Sequence, residues 1–125
     1  MLVLDSGGLS LLARRDVHSA ALMIRLRQRG LWPPVLPMVV LVESLTGTER
    51  DANTNRLVKA CDVDTTLSVR TARRAAELRA RSRRGSAVDA VVVATAEPGG
   101  TVLTSDDEDL RAPAAHAVGV EIVVV

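Results

Sequence analysis

The sequence MLVLDSGG, residues 1–8, decides the fold, because an apolar run leads directly into an aspartate, a serine and two glycines. A continuous apolar run that glycines bound predicts a short strand buried in a parallel sheet. Asp5 closes this strand and has no residue of opposite charge beside it in the sequence. The function therefore depends on which other groups Asp5 meets in space.

Length and composition predict one globular domain over residues 1–125. Trp32 is the only aromatic residue, which predicts a core of Val, Leu, Ala and Ile and disfavours a module that stacks bases on aromatic rings. The single cysteine, Cys61, cannot form an internal disulfide and favours a reducing, cytoplasmic location. Three prolines interrupt the most apolar stretch, residues 31–42, so we expect neither a signal peptide nor a membrane span.

Helical and extended patterns alternate along the rest of the chain. Apolar spacing predicts helices over residues 9–30, 39–47, 49–61 and 69–82, and a helical turn over residues 106–112. Short strands are predicted near Val35–Met38 and over residues 62–67, 101–105 and 120–125, the last of them buried on both faces. Residues 87–96, AVDAVVVATA, fit either a strand or a buried helix. The alternation predicts an α/β fold, with a parallel sheet flanked by helices on both sides.

Acidic residues recur at positions that such a sheet would bring together. Asp5 and Asp106 each follow a predicted strand, and the carboxyl ends of neighbouring parallel strands meet at one edge. Glu43 and Asp89 lie on predicted helices that could face the same crevice. Clustered carboxylates repel one another unless a divalent cation neutralises them, and oxygen ligands suit Mg²⁺ or Mn²⁺ better than Zn²⁺.

Each acid also has a structural interpretation. Residues 86–89 and 105–108 both fit the capping box, in which the acids would only stabilise helix N-termini. Asp5 fits this interpretation less well, because the two glycines that follow it make a poor helix start, although an aspartate N-cap stays open. Glu43 in an apolar helix must either meet a cation or be exposed, because burying an unpaired charge is costly.

The acids stand in four segments: LDSGG at 4–8, VVLVESLTG at 39–47, SAVDAVVVATA at 86–96 and TVLTSDDEDL at 101–110. In order, spacing and flanks these segments resemble the four acidic motifs of PIN-domain ribonucleases. The resemblance covers residues 1–125, and the small size is similar to that of VapC-type toxins of bacterial toxin–antitoxin pairs. It implies an α/β/α sandwich with residues 87–96 as a helix. It also implies a Mg²⁺- or Mn²⁺-dependent endoribonuclease activity, a homodimer, and a cognate antitoxin that blocks the site.

The resemblance further implies a role for each acid. Asp5 and Asp89 correspond to the principal metal ligands, and Asp106 to a further ligand that acts directly or through water. Asp109 is the alternative to Asp106, because related sequences also place an acid three positions further on. Glu43 would orient or deprotonate the attacking water in a metal-assisted hydrolysis of RNA that uses one or two ions.

The neighbouring polar and basic residues allow two interpretations each. Ser6 and Thr104 would orient the ligands or a water molecule, or would serve only turn and cap chemistry. RNA phosphates would bind the arginines that crowd the predicted helix and the loop after it, namely Arg73, Arg74, Arg81, Arg83 and Arg84. These arginines also fit a solvated helix face on which Glu77 pairs with Arg73 and Arg81. A DNA substrate stays open, since the phosphodiester chemistry does not distinguish the sugars.

Two other classes of protein place similar residues at these positions. A phosphoaspartyl phosphatase needs a second aspartate where Gly7 stands, and a receiver domain needs a lysine near its last strand, whereas the only lysine is Lys59. A non-catalytic PIN-like protein-binding module, with its acids acting as caps, is the main alternative to a nuclease. Such a module would bind Mn²⁺ equally weakly before and after Asp89→Asn.

Overall fold

A computed structural model of residues 1–125 shows five parallel strands flanked by helices, which confirms the predicted α/β architecture. The strands are β1 (Leu2–Leu4), β2 (Val35–Pro37), β3 (Asp62–Asp64), β4 (Thr101–Thr104) and β5 (Glu121–Val124). The helices are α1 (Ser6–Ala13), α2 (Val17–Gln28), α3 (Met38–Ser44), α4 (Ala52–Val58), α5 (Val69–Ser82), α6 (Ala87–Ala96) and α7 (Arg111–Ala115), with a 3₁₀ turn over Glu49–Asp51. None of the helices combines the length and the apolar character needed to cross a membrane.

The strand order places the first strand at the centre of the sheet. The order is β3-β2-β1-β4-β5, and every neighbouring pair is parallel. The chain builds outward from β1 through β2 to β3, and then crosses to the other side of β1 to form β4 and β5. Such a reversal opens a crevice at the carboxyl ends of the two central strands, where sites form in sheets of this kind. Leu4 pairs with Leu103, so Asp5 lies opposite Thr104 in that crevice.

The core contains no aromatic ring, as the composition predicts. Its 21 buried apolar residues are all Leu, Val or Ala, and they include every residue of β1. Trp32 is half-buried and packs against this cluster, with the guanidinium of Arg27 5.0 Å from the centre of its ring. Complete burial of β1 explains why its apolar run does not alternate with polar residues.

Several predicted elements are confirmed. The arginine-rich segment 69–82 is α5, and Ser68 caps it by accepting a hydrogen bond from the amide of Thr71. Residues 87–96 form α6, so the valine run belongs to a buried helix rather than to a strand. The predicted helix over residues 49–61 is shorter, because the 3₁₀ turn opens it and α4 ends at Val58.

Three predictions are wrong. The first helix does not begin after the glycine pair at residue 9, since α1 begins at Ser6 and contains both glycines, with Asp5 as the N-cap that the sequence left open. Residues 105–108 form no capping box, because α7 begins only at Arg111 and a turn precedes it. The last strand is not buried on both faces: β5 lies at the edge of the sheet, with its residues half-buried or exposed.

Candidate active site

A cavity of about 340 Å³ opens at the carboxyl ends of β1 and β4. Acids and hydroxyl residues from five parts of the chain line it: Asp5, Ser6, Glu43, Asp89, Thr104, Asp106 and Asp109. The structure therefore brings together the four acids that the sequence singles out, the alternative acid at position 109 and both hydroxyl residues. No basic residue lines the cavity.

Asp5 is both the N-cap of α1 and the most buried acid of the cavity, 8% exposed. Its Oδ1 accepts a hydrogen bond from the amide of Gly8 at 2.7 Å, and its Oδ2 accepts one from Oγ1 of Thr104 at 2.6 Å. Burial, and to a smaller extent the charge of Asp89, raises the pKa of Asp5, although these two hydrogen bonds act in the opposite direction. Capping and the acidic cluster thus use the same side chain.

Two glycines allow this arrangement. A Cβ atom on Gly8 would overlap the carbonyl group of Leu103 in β4, and one on Gly7 would lie 3.0 Å from the amide nitrogen of Ser105. Because neither residue has a Cβ, α1 can lie directly against the end of β4. This close approach places Asp5 within hydrogen-bond distance of Thr104. In the sequence, the Gly-Gly pair indicates this close contact between α1 and β4 and does not mark the end of a helix or strand.

Asp89 also combines a cap with a place in the cavity. The capping box of α6 is complete: Oγ of Ser86 accepts from the amide of Asp89 at 3.1 Å, and Oδ2 of Asp89 accepts from the amide of Ser86 at 2.8 Å. The other carboxylate oxygen, Oδ1, has no hydrogen-bond partner within the chain. The predicted cap is confirmed, and it leaves one oxygen of Asp89 available to a ligand.

Asp106 follows β4 and organises the turn that replaces the predicted cap. Its Oδ1 accepts a hydrogen bond from the amide of Glu108 at 3.1 Å, and Oγ1 of Thr104 accepts one from the amide of Asp106, also at 3.1 Å. The Thr104 hydroxyl therefore contacts both the first and the fourth acid of the cavity.

Glu43 lies on α3 at the exposed rim of the cavity, so exposure rather than an internal cation resolves its position in an apolar helix. Partial desolvation, followed by the charges of Asp89 and Asp5, raises the pKa of Glu43. The nearby hydroxyl of Ser6 acts in the opposite direction and lowers the pKa of Glu43.

The donor set fits a hard divalent cation. Five carboxylates supply oxygen ligands of the kind that Mg²⁺ and Mn²⁺ prefer, and only Asp109 among them pairs with a basic residue, Arg84. The raised pKa values of Asp5 and Glu43 include repulsion from neighbouring acids, which a cation would relieve. No three acidic, histidine or cysteine side chains already converge closely enough to hold a metal ion. Asp5 and Asp89 are instead oriented by the amides that they cap.

The predicted RNA-binding arginines lie outside this cavity. Arg74 donates from Nε to Oε1 of Glu97 at 2.7 Å and also pairs with Glu77, which pairs with Arg81 as well. Glu77 therefore contacts Arg74 and Arg81 rather than the predicted pair Arg73 and Arg81. Of the others, Arg84 pairs with two acids after β4, while Arg73 and Arg83 have no acidic partner.

A second group of arginines, which was not among the predicted site residues, surrounds a groove of about 530 Å³ between α1, α2 and α4. Its basic residues are Arg14, Arg15, Arg27 and Arg56, and none of them forms an ion pair. Leu12, Met23, Trp32 and Leu57 contribute apolar surface. The one acid, Asp16, accepts a hydrogen bond from the amide of Ser19 and caps α2. Three separate elements supply these arginines, so no local sequence pattern reveals the group.

Asp5→Asn should stabilise the metal-free protein at pH 7. Below the unfolded pKa, a carboxylate whose pKa is raised by folding does not change the free energy of unfolding. As the pH rises through the folded pKa, ionisation of this carboxylate lowers the free energy of unfolding. Asparagine can still accept from Gly8, and Oγ1 of Thr104 can donate instead to the carbonyl oxygen of Asp106, 2.8 Å away. We expect a gain within the range of about 0.5–2 kcal/mol that single stabilising substitutions give.

Urea unfolding with a chelator present measures this difference. The two proteins should differ most at pH 7 and converge as the pH falls below 4. A variant that is less stable than the wild type at pH 7 would show that the hydrogen bonds of Asp5 outweigh its desolvation.

Comparison with protein-family models gives a match to the PIN domain over residues 2–115. The matched range contains every acid that lines the cavity. No curated protein matches the chain.

Proposed function

Because the chain belongs to the PIN domain family, whose members are generally nucleases, we propose that it is a Mg²⁺- or Mn²⁺-dependent endoribonuclease. The observation that carries the proposal is the cavity at the carboxyl ends of β1 and β4, in which acids from four elements meet with no basic residue. Such a cluster is expensive unless a cation balances it, and metal-assisted hydrolysis of phosphodiesters uses this kind of ligand set.

Each residue has a role in this proposal. Asp5, Asp89 and Asp106 would hold the cation, and a bound divalent ion would supply Lewis acidity at the phosphate oxygens. Glu43 would accept a proton from the water molecule that attacks phosphorus, because its raised pKa brings it closer to neutral pH and its position on the rim leaves it accessible. Ser6 would orient Glu43, and Thr104 would orient Asp5.

Incubation with total RNA tests the proposal. We expect endonucleolytic cuts in Mg²⁺ or Mn²⁺ and none in EDTA, with the ends mapped by sequencing and a DNA strand of the same sequence as the control. Cleavage that survives EDTA would overturn the metal dependence, and preferential cutting of the DNA strand would overturn the choice of substrate.

The completeness of the caps favours one other function. Asp5 and Asp89 each satisfy backbone amides at a helix N-terminus, so their presence is explained without any ligand. A non-catalytic PIN-like protein-binding module would keep the same caps. It would bind Mn²⁺ no better than its Asp89→Asn variant does.

We further propose that the protein is a toxin with a cognate antitoxin as its inhibitor, because its motifs and size resemble those of VapC-type toxins. The groove between α1, α2 and α4 supports it, because four unpaired arginines beside apolar surface fit an acidic, amphipathic segment of a partner protein. RNA as the substrate and a reduced Cys61 are consistent with the cytoplasm.

Reversing charges in this groove should weaken antitoxin binding. The Arg14→Glu/Arg56→Glu variant should reduce the affinity by at least about tenfold, because like charges brought together in an interface cost several kcal/mol. Calorimetric titration with the purified antitoxin measures the effect. Arg25→Glu/Arg29→Glu, which reverses two exposed arginines outside the groove, is the matched control and should bind as the wild type does. Equal losses in both variants would argue against the groove.

A homodimer is also proposed from the resemblance. Met38 and Val42 of α3 lie beside Leu67 around a cavity of about 190 Å³, and all three residues are exposed, Val42 the most at 81%. A patch of this kind suits contact with a second copy of the chain. Light scattering of the purified protein tests the assembly.

A further inference from the structure

The loop after β4, residues 105–110, contains two acids that share one arginine. Arg84 forms ion pairs with Glu108 and with Asp109, the latter with 3.5 Å between Nε and Oδ1. Asp106 has no basic partner, although it belongs to the same loop and lines the same cavity as Asp109. The loop therefore presents two acids to the cavity, one paired with an arginine and one without a basic partner.

The remaining acid of the loop also has an arginine partner. Asp107 pairs with Arg111 and does not line the cavity. Three of the four consecutive acids thus have an arginine partner. Only Asp106, the first of them after β4, has none. An ion pair with arginine reduces the electrostatic gain that a carboxylate makes on binding a cation.

Backbone packing fixes the position of the Arg84 main chain. Gly85 follows it with φ +86°, and a Cβ at this residue would lie 2.7 Å from the carbonyl oxygen of Asp109 and 3.5 Å from the Cβ of Asp89. The connection between α5 and α6 is therefore in direct contact with both acid-bearing elements. The backbone therefore places Arg84 close to Asp109, so their ion pair does not depend on the reach of the long arginine side chain alone.

We propose that Arg84 is a positioning residue that withholds Asp109 from the metal, so that Asp106 is the acid of this loop that binds it. The inference rests on the proposed function and assigns the fourth acid of that site. Arg84 would then reduce the negative charge of the cavity by pairing with Asp109, in addition to any contact that it makes with phosphate.

Mn²⁺ titration by calorimetry tests this assignment independently of activity. Asp106→Asn should weaken Mn²⁺ binding by about tenfold or more, because even the outer partners of metal ligands contribute 10- to 100-fold. Asp109→Asn should stay within about twofold of the wild type, since Arg84 already pairs with the carboxylate of Asp109. Arg84→Gln should tighten binding by about twofold to fivefold, the range that corresponds to an exposed ion pair.

Three further variants separate the pairing from a general change of charge. Arg84→Lys should bind Mn²⁺ as the wild type does, and Arg83→Gln removes the same charge from an unpaired neighbour and should have a smaller effect than Arg84→Gln. In the Arg84→Gln/Asp109→Asn double variant the gain should disappear, because it requires the carboxylate that Arg84 releases.

The outcomes distinguish this inference from the proposed function. If Asp89→Asn and Asp106→Asn weaken Mn²⁺ binding while Arg84→Gln has no effect, or an effect that persists without Asp109, only the role of Arg84 is overturned. A larger loss in Asp109→Asn than in Asp106→Asn would reverse the assignment of the two acids. Unchanged binding in Asp89→Asn would overturn both the site and the inference.

Discussion

The Asp89→Asn variant should lose metal-dependent RNA cleavage by about a hundredfold or more, because the loss of merely an outer partner of a metal ligand already costs 10- to 100-fold. The free oxygen Oδ1 of Asp89 is the atom that the cap leaves available, and its charge helps to attract the cation. Asparagine removes that charge without changing the size of the side chain. Single-turnover cleavage of a mapped RNA site in Mg²⁺ measures the effect.

The fold of this variant should be nearly unchanged. Oδ1 of an asparagine at position 89 can accept the hydrogen bond from the amide of Ser86 that Oδ2 of the aspartate accepts now. The stability should therefore change by about 1 kcal/mol or less, the usual effect of altering a cap. Urea unfolding in the presence of a chelator checks that lost activity does not reflect lost structure.

Asp107→Asn is the matched control for this experiment. It makes the same chemical change in an acid that pairs with Arg111 and does not line the cavity, so cleavage should stay within about twofold of the wild type, as for a surface substitution. If Asp89→Asn cuts RNA as fast as this control, Asp89 is a cap and nothing more. The protein-binding module would then be the better account of the fold.

The boundaries of the helices show what sequence patterns can predict. Residues 69–82 form a helix as their apolar spacing indicates, because Ala75 and Leu78 face the core while the arginines face solvent. The valine run in 87–96 is ambiguous by pattern, since a helix buried on most sides has no polar face to mark its period. Only the resemblance to a known family indicated a helix there, and the structure confirms it.

The acidic site could be predicted in outline because it follows from topology. The carboxyl ends of neighbouring parallel strands must meet, so Asp5 and Asp106 were expected to lie close together. By sequence pattern, capping and a place in the acidic cluster are alternatives, whereas Asp5 and Asp89 both cap a helix and line the cavity. A carboxylate has two oxygens with two lone pairs each, so one cap does not exhaust its capacity to accept.

The long-range ion pairs could not be predicted, because they join residues that are distant in the sequence. Arg74 bonds to Glu97, 23 positions away, and Arg84 contacts Glu108, 24 positions away. The first pair depends on how α5 packs against the end of α6, and the second on how the connection between α5 and α6 packs against the loop after β4. Local spacing can indicate only pairs such as those of Glu77 and that of Asp107 with Arg111, and for Glu77 it favoured Arg73 over the observed Arg74.

Gly8→Ala should destabilise the protein by about 2 kcal/mol or more, although glycine to alanine inside a helix normally stabilises by about 1 kcal/mol. The new methyl group would overlap the carbonyl of Leu103, which is buried backbone of β4 and cannot move aside as a flexible side chain could. Either α1 or the end of β4 must therefore shift. Urea unfolding compares the variant with Ser10→Ala, which changes an exposed position of the same helix and should be close to neutral.

The shift should also affect the site, because Gly8 donates its amide to Oδ1 of Asp5 while Thr104 at the end of β4 donates to Oδ2. Moving α1 away from β4 separates these two donors, so Mn²⁺ binding should weaken together with stability. Gly7→Ala should be milder, since the nearest atom to its new methyl group is the side-chain Oγ of Ser105, which can rotate. If Gly8→Ala were instead more stable than the wild type, helix propensity would dominate at this position. The close contact of α1 with β4 would then not be what requires glycine after Asp5.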